Sequence, residues 1–496
     1  MVNKVKISTE DREFFQLVSR AALSNPFSDE RAELDYKIGE CSPDVSIHAR
    51  LECVSQKIKE RIAELEREGR ADTGLYGGDD KVMMQSSFMF EIFFLFSKNF
   101  DDLIARQLKA GESTCTVPFG KDAMAMFIRR GFNPEEARRY FAILYQLKRA
   151  YYFVDQALIG QSPCMRDLRR HLWNNVFTCD IRLYERYLMD RMEDFSTLLL
   201  GDTGTGKGTA AEAIGRCGFI PYNPDKHIFN DSFMSNFISI NLSLYPESLI
   251  ESELFGHKKG AFTGAINQHD GIFSRSSPYG SILLDEIGDL SLTVQLKLLQ
   301  LLQERTFSRV GSHEKIRFNG RVIAATNKSL EKLRENGLFR SDFYYRLCSD
   351  CIVVPSLFER IQQNPNELQL VLTNIIARMT GVESKELVSL VLESIEKSPG
   401  RNYSWPGNVR ELEQATRRIL LTREYRGDES TIPDRGIKER LIAGIESQNL
   451  DSQELLSGYC ALLYERFRTY EEVSRRMNID RRTVKKHIDS FRKSDI

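Results

Sequence analysis

A short apolar run, Ser196-Thr197-Leu198-Leu199-Leu200, leads without a break into Gly201-Asp202-Thr203-Gly204-Thr205-Gly206-Lys207 and then into helix-forming Ala210, Ala211, Glu212 and Ala213. Strand, glycine loop and helix in that order leave few folds open. Glycines let backbone N–H groups turn inward around anionic oxygens, and the helix N-terminus adds its partial positive charge. A lysine at the end of the loop reaches the β and γ phosphates of a nucleotide. The expectation is an α/β domain whose cofactor-binding residues are Gly201, Asp202, Thr203, Gly204, Thr205, Gly206, Lys207, Gly208 and Thr209. The general loop places a hydroxyl directly after the lysine to hold magnesium, and here that place is Gly208. Thr209, water or the acidic strand end alone could complete the metal shell.

Further apolar runs at Phe237–Asn241, Ser281–Asp285 and Arg321–Thr326 read as buried strands alternating with helices, the pattern of a parallel sheet between helical layers. From Leu357 onward only helices are expected, as a lid requires. Upstream of Gly160 the chain lacks alternating β-branched runs and shows long helical patterns, among them Ser55–Arg67 and Pro134–Leu158. Phe88, Phe90, Phe93, Phe94, Phe96 and Phe100 read first as a helical core and second as a ligand or partner surface. The expected class is therefore multidomain. An α-helical N-terminal sensory or regulatory domain spans 1–157 and an α/β P-loop core 158–356. A helical lid spans 357–426, a linker 427–450 and an α-helical DNA-binding domain 451–496. The N-terminal region lacks the pattern of a phosphotransfer receiver, and its signal is not legible.

Ser281–Asp285 ends in Asp285-Glu286, two carboxylates at the carboxyl edge of such a sheet. Asp285 suits a Mg²⁺ ligand, with Thr209 as the other candidate, and Glu286 suits the general base that polarises attacking water. The strand Arg321–Thr326 ends in Asn327, whose amide could sense a γ-phosphate. Arg340 and Arg346, six apart, could enter a neighbouring subunit's site and stabilise phosphoryl-transfer charge.

Composition sets bounds on the rest. The 496 residues exceed one core, the formal net charge is -1, and 41% apolar with 28% charged residues is ordinary for a soluble globular protein. DNA contact must therefore come from a local basic face. Nine scattered cysteines and no apparent leader suggest a reducing cytoplasm, and no run is long and apolar enough for a membrane span. Cys348 and Cys351 form a lone C-x-x-C, read as two half-buried thiols rather than a metal site. Near the end, Thr469 to Glu472 suggests a capping box, Asn478 a left-handed turn and Asp480 the cap of a helix from Arg481 to about Phe491. This helix-turn-helix would point Arg481, Arg482, Thr483, Lys485, Lys486 and His487 at a groove or phosphates.

One more motif places these parts in a family. His257-Lys258-Lys259-Gly260-Ala261-Phe262-Thr263-Gly264-Ala265 contains GAFTGA, so the chain from about Leu158 to Leu420 resembles sigma-54-dependent enhancer-binding activators of the AAA+ class. Glu251–Gly256, Asp285–Gly288 and Trp405–Leu412 extend the likeness, and the C-terminal unit resembles a Fis-type reader. The resemblance implies ATP hydrolysis with Mg²⁺ in a hexameric or heptameric homo-oligomer bound to double-stranded DNA, remodelling sigma-54 RNA polymerase. It implies that Gly260, Ala261, Phe262, Thr263, Gly264 and Ala265 contact sigma-54. Arg340 and Arg346 would be trans-acting fingers, Arg410 a lid sensor, and Asn241 the partner of Glu286. Family members generally carry an acidic residue at the place of Gly208, and Cys217–Asn236 is longer than usual. The rival readings are an AAA+ ATPase of another class and a DNA-binding repressor with a weakened ATPase.

Overall fold

The computed structural model describes residues 5–42, 45, 47–156, 158–400, 403–425, 427, 437–446 and 450–493. They fall into two compact units, one comprising residues 1–393 and 402–423, the other 394–401 and 424–496.

The first unit begins with helices α1 (Thr9–Leu23), α2 (Asp29–Gly39), α3 (Ile47–Arg67), α4 (Gly78–Leu95), α5 (Ser97–Ala110), α6 (Gly120–Arg129) and α7 (Pro134–Gln156). Short polar caps set the first two starts, since Ser8 Oγ accepts from Asp11 N and Ser28 Oγ from Arg31 N. The phenylalanines divide by position. Phe88, Phe90 and Phe100 are buried and form core, whereas Phe93, Phe94 and Phe96 are only partly covered.

Beyond α8 (Pro163–Phe177) and the short α9 (Ile181–Leu183) lie nine strands, β1 (Thr197–Leu200), β2 (Tyr222–Asn223), β3 (Ile228–Phe229), β4 (Phe237–Asn241), β5 (Ser281–Asp285), β6 (Thr306–Phe307), β7 (Ile316–Arg317), β8 (Arg321–Thr326) and β9 (Asp350–Val353). Five make one parallel sheet in the order β4-β5-β8-β1-β9. Its four inner and edge runs were legible as apolar stretches. The fifth, β9, was not, because Asp350 and Cys351 are exposed at an edge and only Ile352 of the strand is buried. Cys351 is accordingly exposed rather than half-buried.

Successive residues of a strand face opposite ways. Leu198, Ile282, Leu284, Val322 and Ala324 pack into one apolar cluster with α11 (Glu247–Phe255) and α13 (Leu292–Glu304). Leu199, Leu283, Ile323 and Ala325 join the other, with α10 (Lys207–Gly215). That second cluster continues without interruption to Phe15, Phe88 and Phe141 of the N-terminal helices. The long stretch after Cys217 accounts for part of this. It forms the β2–β3 hairpin, where Phe229 stacks on Tyr145 with centroids 4.0 Å apart and Tyr222 meets Phe141 edge-on at 4.8 Å.

The remaining helices are α12 (Ile272–Arg275), α14 (Leu330–Glu335), α15 (Ser341–Leu347), α16 (Leu357–Gln363), α17 (Glu367–Thr380), α18 (Lys385–Lys397) and α19 (Asn408–Thr422). Described strands stop at Val353, so the 357–422 segment is helical as expected.

The second unit holds α20 (Ile437–Glu446), α21 (Ser452–Phe467), α22 (Tyr470–Met477) and α23 (Arg481–Lys493) around Cys460, Val473, Val484 and Ile488. α20 occupies part of the stretch read as linker, and residues 428–436 and 447–449 of that stretch lie outside the described residues. The capping box expected at Thr469 is absent: Thr469 makes no side-chain cap bond. Glu472 is instead drawn to Arg475 and Arg476 at 2.7 and 2.9 Å. A complete box sits at Asp451 and Glu454, which start α21.

Candidate nucleotide site and the exposed loop beside the sheet

The loop between β1 and α10 turns through Gly204 (φ 79°) and Gly206 (φ 104°), conformations that side chains disfavour. Gly204 is also sterically required, since a Cβ there would lie 2.2 Å from Gly407 O. The lid closes on this point. Asn408 Nδ2 donates to Thr203 O at 3.0 Å, Val409 N donates to Gly204 O at 3.1 Å, and Asn408 Oδ1 accepts from Leu357 N at 2.8 Å. The Trp405–Leu412 segment is therefore the clasp that seats the lid on the phosphate loop.

Between loop and lid lies a cavity of ≈ 420 Å³. Thr203, Gly204, Thr205, Gly206, Lys207, Gly208 and Thr209 line it together with Asn241, Asp285, Glu286 and Arg410. Gly201 and Asp202 instead supply the carbonyls that accept from Lys207 Nζ at 2.8 and 3.0 Å. Burial lowers the affinity of that ammonium for its proton, while Glu286, Asp285 and Asp202 oppose the shift.

Glu286 stands in the left-handed region (φ 57°, ψ 46°), and its buried Oε2 has no hydrogen-bond partner among the described residues. A strained backbone holding an unsatisfied carboxylate oxygen in a polar cavity is the arrangement a water-activating base requires. Asn241 shares the cavity, but no described hydrogen bond joins it to Glu286. Its Oδ1 is taken by Ser243 N and Ser243 Oγ at 3.0 and 2.7 Å, because the strand ends there in a tight turn. Asn327 Nδ2 donates to Thr203 Oγ1 at 2.8 Å, tying β8 to the loop.

The donor set fits a magnesium ion that arrives with its phosphate. No group of three or more His, Cys, Asp or Glu is gathered among the described residues, so a resident all-protein metal cage has no ligands there. One or two carboxylates with Thr209 nearby is what a phosphate-borne Mg²⁺ uses.

Arg340 and Arg346 lie outside this cavity. Arg340 pairs with Asp342 at 2.7 Å on the surface, which raises its proton affinity. Arg346 donates to Leu302 O at 2.7 and 3.1 Å. Not legible in the sequence is the share of the cavity supplied by Val371, Asn374, Ile375 and Arg378 of α17, and by Glu413, which pairs with Arg378. Their helical spacing was the available signal. Arg360 and Glu367, both buried, were not legible either. Glu367 Oε1 accepts from Arg360 Nε at 2.9 Å, and Oε2 accepts from Gln161 N and Ser162 N at 2.8 and 3.1 Å, so the pair ties the lid to the segment after Leu158.

The GAFTGA segment is an exposed loop between β4 and β5. Its base is fixed by the paired backbones of His257 and His269 and by Lys258 N donating to Val310 O at 3.1 Å. Its neck closes where Gly260 N donates to Ala265 O at 2.8 Å. Thr263 is exposed, Phe262 is 39% exposed with its ring 4.9 Å from that of His257, and Ala265 is buried. The excursion leaves the sheet at Asn241, the end of β4, which lines the cavity, and returns at Ser281, the start of parallel β5, which runs one strand length to Asp285-Glu286 in the cavity.

In the C-terminal unit Asn478 is left-handed (φ 53°) and Asp480 Oδ1 accepts from Arg482 N and Thr483 N at 2.8 and 3.2 Å. Arg482, Lys485 and Lys486 are exposed. Arg481 pairs with Glu471 at 2.7 Å, Thr483 Oγ1 is held by Asp480, and His487 Nδ1 lies 2.9 Å from Ser457 Oγ. Arg481 is exposed as well, whereas Thr483 and His487 are half-buried.

A glycine loop between strand and helix, an acidic strand end, helices clasped over that loop and an exposed excursion that leaves the sheet at the same edge make up one module. Residues 182–352 match the Sigma-54 interaction domain. Similar proteins include the regulatory protein AtoC of Escherichia coli (32% identical over 61% of this chain and 58% of that one). The Nif-specific regulatory protein of Azotobacter vinelandii is 34% identical over 61% and 52%. NtrC of Azospirillum brasilense is 36% identical over 53% and 47%. The chain thus spans roughly half of the relatives it matches. Among solved structures, NtrX from Brucella abortus is 21% identical, with 75% of this chain and 80% of that one covered at a TM-score of 0.40.

Proposed function

We propose that this chain is a sigma-54-dependent transcription activator that binds DNA upstream of promoters, hydrolyses ATP in a homo-oligomeric ring and remodels the sigma-54 RNA polymerase closed complex. The observation that carries the reading is that the loop bearing the exposed Phe262–Thr263 tip leaves the sheet at Asn241, in the cavity that holds Glu286, and returns through β5, which ends there. Lys207 leaves the Gly201 and Asp202 carbonyls to meet phosphate oxygens, and the N–H groups opening α10 hold the others. Asp285, in the cavity lining, would hold Mg²⁺, which when bound neutralises phosphate charge. Glu286 takes the proton of an attacking water, and the loss of the γ-phosphate frees side chains that β4 and β5 connect to the loop roots. Arg340 and Arg346 do not line their own cavity, and on this reading they serve a neighbour's site. Arg482, Lys485 and Lys486 supply phosphate contacts for the DNA reader.

The test is open-complex formation on a sigma-54 promoter with ATP turnover followed in the same reaction. Wild type opens the promoter, Thr263→Ala hydrolyses without opening it, and Glu286→Gln does neither. Turnover without any opening, with or without the N-terminal region, would replace this reading by an AAA+ ATPase of another class. DNA binding without turnover would favour the repressor.

A further inference from the structure

The N-terminal helices enclose a second cavity, of ≈ 180 Å³, remote in sequence from the phosphate loop. Phe90, Phe93, Tyr151 and Trp173 give it aromatic walls. Its charged lining is unequal. Arg31 is matched by Asp35 at 2.8 Å, and Lys148 by Asp101 at 2.9 Å. Arg50 also lines the cavity, makes no ion pair among the described residues, and has a buried Nε without a hydrogen-bond partner; its one described contact is the Tyr36 ring at 4.8 Å. An apolar chamber with one unneutralised guanidinium suits a small organic acid, its flat body among the rings and its carboxylate on Arg50.

The same wall leads to the phosphate loop. α7 faces the cavity with Leu144, Leu147, Lys148 and Tyr151. Its opposite face carries Gln146 and Arg149. Arg149 is wholly buried without an ion pair among the described residues, and donates to Arg216 O and Gly218 O, each at 2.7 Å. Gln146 Nε2 donates to Cys217 O at 2.8 Å. These carbonyls lie just past the C-terminal end of α10, the helix that Lys207 begins. One helix therefore touches the cavity on one side and the tail of the phosphate-loop helix on the other.

We propose that this cavity binds a small aromatic carboxylate and that α7 transmits its occupancy to α10 through Arg149 and Gln146. The binding half stands alone, and the transmission half rests on the ATPase reading above.

The experiment uses the full chain and three probes of one shape, phenylacetate, 2-phenylethanol and phenethylamine, with calorimetry for binding and ATP turnover measured separately. Phenylacetate binds saturably with a Kd of about 1 mM or tighter and at least about tenfold better than the neutral probe, and the amine does not bind. Arg50→Gln abolishes the preference for the acid, and Leu147→Phe, which fills the chamber, abolishes binding. Equal weak uptake of all three probes, or phenylacetate binding indifferent to both substitutions, overturns the site. Bound phenylacetate changes wild-type turnover about fivefold or more, and Arg149→Met or the milder Gln146→Leu removes that change without removing binding. Binding with unaltered turnover overturns the transmission. Absence of turnover under every condition instead removes the ATPase reading and leaves the calorimetric result standing.

Discussion

Lys207 and Cys217, at the two ends of one helical segment, show how burial sets the chemistry of a residue. The Lys207 ammonium is held in a partly dry cavity by two carbonyls, and burial lowers its proton affinity. The folded chain therefore bears a cost for that charge at neutral pH, and the cost recedes as pH rises through the lowered value. Lys207→Met should leave the nucleotide-free protein no more than about 1 kcal/mol less stable, while equilibrium dialysis shows nucleotide affinity falling about tenfold or more. The stability difference between the two forms should shift with alkaline pH in favour of wild type. Burial likewise pushes the Cys217 thiol up to about 12. Only the thiolate is nucleophilic, so native protein treated with iodoacetamide at mildly alkaline pH should be alkylated at exposed Cys179 and spared at Cys217 until it unfolds. Mass spectrometry of the digested protein reads the two sites separately.

Among the elements, the lid depends on contacts that no local pattern announces. α16 and α17 are joined by Arg360 and Glu367, 5% and 0% exposed, and the same carboxylate caps Gln161 N and Ser162 N. Removing one partner of a buried pair leaves the other charge without compensation. Glu367→Gln should therefore cost about 3 kcal/mol, seen as a lower denaturant midpoint. Hydrogen exchange should rise first in α17 and in the backbone at Gln161 and Ser162. The strands show the opposite case. β1, β5 and β8 were legible because runs such as Leu198–Leu199 and Ile282–Leu284 are covered on both faces, and apolar runs of that kind need no partner to be recognised; β4, at the sheet edge, was legible from Phe237, Ile238 and Ile240. β9 and the β2–β3 hairpin are too short and too polar to be recognised without β1, or without Tyr145 and Phe141 packing against them.

The whole molecule comprises two compact units, and no helix among the described residues is long and apolar enough to cross a membrane. With a formal net charge of -1 the chain has no general attraction for nucleic acid. The DNA binding proposed above would then rest on the outward cations of α23. Replacing Lys485 and Lys486 together by alanine should make the dependence of log affinity on log salt shallower by about 0.9 for each phosphate that is no longer neutralised. Fluorescence anisotropy on duplex DNA measures this, and ATP turnover should be unchanged. In the first unit, the apolar cluster running from Phe15 to the sheet means that the N-terminal helices are packed on the phosphate-loop helix rather than tethered to it.

Sequence alone determined the chemistry that depends on residue order: the glycine loop with Lys207, the Asp285-Glu286 strand end, the GAFTGA loop and the Asn478 turn between two short helices. Each is a local pattern whose backbone geometry follows from its own residues, so each could be read without a neighbour. Tertiary structure alone decided what depends on approach from elsewhere in the chain. It joined Gly204 to Gly407 and α17 to the cavity. It drew His487 toward Ser457, and it set Arg149 against the tail of α10. These contacts join residues far apart in sequence, and only the packing of apolar faces brings such residues together.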